Sequence, residues 1–125
     1  MRHLHAILLV EDDVELHRAM QHILDAEGYR VVGAFDGQEA LERLRRGFTP
    51  CVILLDLRLP VKDGRQFRKE QLADRKLAAI PVIAYSGDNR IAETAKELGV
   101  QHWFKKPVNF GTLLEAVASY CPDEE

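Results

Sequence analysis

Four short stretches of the chain bring together residues able to do chemistry. Glu11-Asp12-Asp13 follows the apolar run AILLV (6–10), and Asp56 follows CVILL (51–55). Ser86-Gly87 closes a third apolar run and Lys105-Lys106-Pro107 a fourth. Carboxylates gathered at one place repel one another and need a compensating charge. A hard divalent cation meets that need, and Mg2+ typically takes one or two carboxylates with water and phosphate oxygens. A neighbouring lysine adds positive charge. Cation, ammonium and hydroxyl together cradle a phosphoryl group, whose transfer depends on positioning and electrostatics. Asp56, the central carboxylate, can then act as a nucleophile and form an acyl phosphate.

Such a site exists only if the fold collects these residues. Ala6–Val10, Tyr29–Phe35, Cys51–Leu55, Val82–Tyr85 and Val100–Phe104 read as strands. Between and after them, Val14–Glu27, Gln38–Arg46, Arg65–Asp74, Ile91–Leu98 and Asn109–Tyr120 carry apolar residues near the helical period. Gly28, Gly47 and Gly99 are natural helix stops, and Asn109 is a suitable N-cap. Strands 1, 3 and 4 are apolar throughout rather than alternating, as in parallel strands covered on both faces. The pattern predicts an α/β fold: a doubly wound, five-stranded parallel sheet with five helices. Such sheets place ligand sites beyond the carboxyl ends of their strands, where Glu11, Asp12, Asp56, Ser86 and Lys106 fall.

Composition narrows the alternatives. The 125 residues read as one domain, with a core over about 6–120, and no repeat or linker is visible. Hydrophobic residues are 46% and charged residues 30%, an ordinary balance for a soluble protein. The net charge of −3 shows no basic excess of the kind nucleic-acid binding uses. No apolar run approaches the roughly 20 residues of a membrane span, and the acids at 11–13 interrupt any signal-peptide core. A cytoplasmic location is expected. Cys51 and Cys121 are expected to be reduced and to act as small hydrophobes. The five histidines lack metal-ligand spacing and are expected to be surface or structural.

The segments ILLVEDD (7–13), LLDLRLPVKDG (54–64), YSG (85–87) and KP (106–107), in this order and spacing, resemble the receiver domains of bacterial two-component response regulators. Asp56, Pro60 and Gly64 reproduce that family's Asp-x-x-x-Pro-x-x-x-Gly pattern. The resemblance implies a flavodoxin-like receiver fold and a signalling switch in place of an enzyme that turns over substrate. It implies that Asp56 is the phosphoacceptor and that Mg2+ is held by Glu11, Asp12, Asp56 and the Arg58 backbone carbonyl. Ser86 would be the switch hydroxyl, Lys106 the lysine on a phosphoryl oxygen, and Trp103 the aromatic switch position, usually Tyr or Phe. A cis Lys106-Pro107 bond is also implied. The expected donor is a histidine kinase or histidine phosphotransfer protein. The expected target is a downstream protein on the face of helix 4, strand 5 and helix 5, with no direct contact to nucleic acid or membrane.

Several residues carry a plainer reading beside this one. Asp13 is expected to cap the first helix, Lys105 to be solvated, and Trp103 to be a half-buried packing residue more than a moving one. Arg58 and Asp88 each follow a site residue by two positions, and their opposite charges could face one another as a gate over the site mouth. An aspartyl-phosphate phosphatase of the haloacid-dehalogenase type is the alternative among enzymes. It needs an acid two residues after the nucleophile, where this chain has Arg58. A docking pseudo-receiver is a third reading, but Asp56, Asp12 and Lys106 are all present.

Overall fold

The computed structural model describes residues 6–122. Five strands and five helices alternate: β1 (Ala6–Val10), α1 (Val14–Ala26), β2 (Arg30–Ala34), α2 (Gly37–Arg45), β3 (Val52–Asp56), α3 (Gly64–Ala73), β4 (Val82–Ser86), α4 (Ile91–Glu97), β5 (His102–Lys105) and α5 (Phe110–Tyr120). All strands are parallel, in the order β2-β1-β3-β4-β5. This is the expected doubly wound sheet. The strands read as apolar throughout are the interior ones, and β3 and β4 are buried along their whole length.

Residues along each strand alternate between two cores. Leu8, Val10, Ile53, Leu55 and Ala84 pack with Ala40, Leu41, Leu44, Phe67 and Ala95, so α2, α3 and α4 cover one face. Ile7, Leu9, Val52, Leu54, Ile83 and Tyr85 pack with Met20, Leu24, Leu113 and Val117, so α1 and α5 cover the other. Four helices begin at side-chain caps. Asp13, Asp36, Asp63 and Asn109 each accept from a backbone N–H in the first turn of the helix that follows. Asp13 is therefore a cap, as expected. The last strand is shifted relative to the sequence reading, because Val100 N–H bonds back to Ala95 O and belongs to the turn closing α4.

One expectation fails. Cys51 and Cys121 are joined as a disulfide, with Cα atoms 5.6 Å apart, well inside the range such a bond requires. Their separation of 70 residues concealed that the start of β3 and the end of α5 meet at one edge of the α1/α5 core.

Candidate functional site

Strand alternation decides which side chains meet. Leu9 and Leu54 face α1 and α5, so Glu11 and Asp56, two residues further along each strand, face the same way. Tyr85 is the direct neighbour of Asp56 across the β3–β4 ladder and shares that face. Phe104 packs there too, and Lys106 follows it by two. Ser86 points to the opposite face. Glu11 is fully buried and Asp56 1% exposed, whereas Asp12 is exposed.

Oxygen atoms of Glu11, Asp12 and Asp56 all lie within 4.8 Å of one another. Lys106 Nζ donates to Asp56 Oδ2 at 2.9 Å and lies 3.6 Å from Glu11 Oε1. The other oxygens are held by backbone: Arg58 N–H donates to Asp56 Oδ1 at 2.9 Å, and Asp13 N–H to Glu11 Oε2 at 2.9 Å. Three carboxylates thus face one ammonium. Burial, followed by the Asp56 charge, raises the Glu11 carboxyl to about 7, against the opposing pull of the Asp13 N–H and Lys106. Burial lowers Lys106, but Asp56 and Glu11 outweigh it and the net shift is upward.

This donor set fits a divalent cation. It is all oxygen and carries excess negative charge, and its buried Glu11 Oε1 has no hydrogen-bond partner among the described residues. Such a cation would be held by Asp12, Asp56 and Glu11, with the Arg58 carbonyl in the same loop. Once bound, it would supply charge neutralisation between Asp56 and an incoming phosphate.

Around this centre the expected residues fall into groups. Ser86 is buried, and its Oγ accepts from Asp88 N–H at 3.1 Å. Its carbonyl accepts from Lys106 N–H at 2.9 Å, which ties the β4 end to the lysine. Lys106-Pro107 is cis, as expected. Trp103 is 40% exposed on edge strand β5. Arg58 and Asp88 both line a cavity of about 200 Å3 next to Ser86, shared with Arg65 and Thr94. Among the described residues the two form no ion pair, and Asp88 Oδ1 instead accepts from Arg90 N–H at 2.8 Å. Lys105 bonds Asn89 at the surface.

Sequence reasoning missed three residues. His17, buried, places Nδ1 2.9 Å from the Glu11 carbonyl and stacks on Phe35. A carbonyl only accepts, so Nδ1 carries the proton. Arg65 on α3 donates to Thr94 Oγ1 on α4 at 3.2 Å, along the cavity wall. In the sequence Tyr85 is the last apolar residue of β4 and the first of the YSG segment, with no role of its own. Val61, 84% exposed, adopts φ 64 in the tight turn where Lys62 N–H bonds Pro60 O at 2.6 Å. That conformation is strained for a β-branched residue. The motif glycine has a steric cause: a Cβ on Gly64 would lie 2.6 Å from Leu57 Cα.

A doubly wound parallel sheet, with an acidic centre at its carboxyl edge and a lysine just after the last strand, defines an α/β protein with a charged site at its strand ends. The sequence profile of the response regulator receiver domain matches residues 7–118, and the chain belongs to that family. It is 30% identical to sporulation initiation phosphotransferase F of Bacillus subtilis, covering 93% of both chains. It is also 30% identical to the transcriptional regulatory protein PdtaR of Mycobacterium tuberculosis, over 89% of this chain. This chain spans about half the length of PdtaR, 54%. Among solved structures, the receiver domain of sensor histidine kinase PA1611 from Pseudomonas aeruginosa superposes with TM-score 0.83. It is 29% identical, with 93% of this chain and 96% of that one covered, and it holds a magnesium ion in its active-site cleft. No helix among the described residues is long and apolar enough to cross a membrane.

Proposed function

We propose that Asp56 accepts a phosphoryl group from a phosphorylated histidine of a kinase or phosphotransfer protein, in a reaction that uses Mg2+. An Asp56 oxygen would form the bond to phosphorus as the P–N bond to histidine breaks, and the electron pair of that bond would return to the imidazole. The observation that carries this reading is the buried Asp56 carboxylate, held by Lys106 Nζ and Arg58 N–H within a carboxylate cluster. Lys106 would neutralise a phosphoryl oxygen, and Asp12 and Glu11 would hold the cation. Ser86 would turn toward the phosphoryl group, carrying the change through β5 and Trp103 to a protein target on α4, β5 and α5. The chain would act as a switch and turn over nothing but its own acyl phosphate. We place it in the cytoplasm, where thiols would challenge the Cys51–Cys121 bond. The phosphatase reading has less support, because Arg58 stands where that chemistry needs an acid.

Acetyl phosphate with Mg2+ tests the assignment. Wild type should gain one acid-stable, base-labile phosphoryl group by mass. Asp56→Asn should gain none, since an amide is a poor nucleophile, and EDTA should block labelling. Equal labelling of Asp56→Asn would remove Asp56 from the role.

A further inference from the structure

Tyr85 carries a feature that neither the packing of β4 nor the proposed phosphotransfer uses. Its side chain is completely buried, and its hydroxyl has no hydrogen-bond partner among the described residues. An unsatisfied buried hydroxyl is costly, so its persistence needs an account. A phenylalanine would fill the same space without that cost.

The surroundings supply the account. Tyr85 lies on the same sheet face as Glu11 and Asp56 and pairs directly with Asp56 along the strands. Burial raises its hydroxyl well above the usual value, and the Glu11 and Asp56 charges raise it further. Glu11 Oε1 is likewise buried and without a hydrogen bond, with Lys106 Nζ 3.6 Å away. One orphaned donor and one orphaned acceptor thus lie on one face of the sheet. The same ammonium lies 5.6 Å from the centre of the Tyr85 ring, within cation–π range.

We propose that Tyr85 is a positioning residue of the acidic centre, its buried hydroxyl, unpaired in the structure, turning to donate to Glu11 Oε1 and fixing that carboxylate for cation binding. The proposal rests on the reading that Glu11, Asp12 and Asp56 hold a divalent cation. Asp13 N–H already anchors Oε2. A donor on Oε1 completes the restraint, so the carboxylate need not be reordered when the cation arrives. Removing the hydroxyl frees one end of Glu11 while the ring, and with it the α1/α5 core, stays in place.

Calorimetric titration of Mg2+ into wild type, Tyr85→Phe, Glu11→Ala and the double variant tests it. Tyr85→Phe should weaken Mg2+ binding about fivefold, the worth of one hydrogen bond. In the Glu11→Ala background the same change should do nothing, because Tyr85 acts through Glu11. A proton spectrum gives a readout without cation. The Tyr85 hydroxyl proton should appear as a slowly exchanging downfield signal, absent from Tyr85→Phe and shifted upfield in Glu11→Ala. Unchanged affinity in Tyr85→Phe, or equal weakening in both backgrounds, overturns the positioning role and leaves the cation site standing. A wild type that takes up no Mg2+ overturns the cation reading itself.

Discussion

Replacing Glu11 by glutamine should stabilise the cation-free protein at pH 8 and leave its stability nearly unchanged at pH 4.5. Glu11 is fully buried and its carboxyl titrates near 7 in place of 4.5. Below about pH 4.5 it is protonated in folded and unfolded chains alike, so it contributes no difference. Between 4.5 and 7 the unfolded chain ionises while the folded one keeps its proton, so stability falls as pH rises. Above 7 the full cost is present, about 3 kcal/mol at about 1.4 kcal/mol per tenfold change in proton affinity. Glutamine keeps an oxygen for Asp13 N–H and removes the titration. The assay is urea unfolding in EDTA at pH 4.5, 6 and 8, wild type against Glu11→Gln. The gap should open with rising pH to about 2–3 kcal/mol in favour of the variant. Added Mg2+ should narrow it, since the ion stabilises only a chain that binds it. A variant less stable than wild type at pH 8, or a gap independent of pH, would refute burial and charge crowding as the source of the shift.

Other outcomes follow from the same geometry. Asp12→Ala should weaken Mg2+ binding by calorimetry while leaving apo stability within about 0.5 kcal/mol, because exposed Asp12 caps nothing and Asp13 does. Cys51→Ser with Cys121→Ser, or reduction by dithiothreitol, should lower stability by about 2–4 kcal/mol in urea, the entropy of opening a 70-residue loop. Arg58→Ala should lose its phosphoryl group faster than wild type after donor removal, by opening the cavity it lines with Asp88, with Mg2+ affinity unchanged. Decay at the wild-type rate would make Arg58 a plain surface charge. Mg2+ with beryllofluoride should change the emission of Trp103, the single tryptophan, half-open on β5. A constant spectrum alongside proven binding would make it a static residue.

What could be read from sequence and what could not divide along physical lines. Interior strands announce themselves because two helical layers bury them, so β1, β3 and β4 read as unbroken apolar runs. Glu11, Asp12, Asp56 and Lys106, which the structure brings together, were legible because four short fragments stand in one order and spacing; singly, each could be a cap or a turn residue, as Asp13 is. Tyr85 was not, since a tyrosine ending an apolar strand looks like core, and only strand register shows that its face is Asp56's face. His17 has the sequence marks of a surface or structural residue, and its contact with the Glu11 carbonyl depends on the turn entering α1. The disulfide joins positions whose proximity is purely tertiary. Val61 hides a left-handed turn behind a residue type that disfavours it.

The bond between Cys51 and Cys121 also fixes how α5 can move. It pins the last turn of that helix to the start of β3, at the edge of the sheet remote from the acidic centre. The other end of α5 begins just after the Lys106-Pro107 loop, beside Asp56. A rod of 11 residues, about 16 Å long, held at one tip cannot slide along its axis. A displacement imposed at Lys106 would therefore become a swing about the pinned tip. The arc would be widest near Phe110 and vanish at Cys121, so the surface of α5 nearest the acidic centre would report it most strongly.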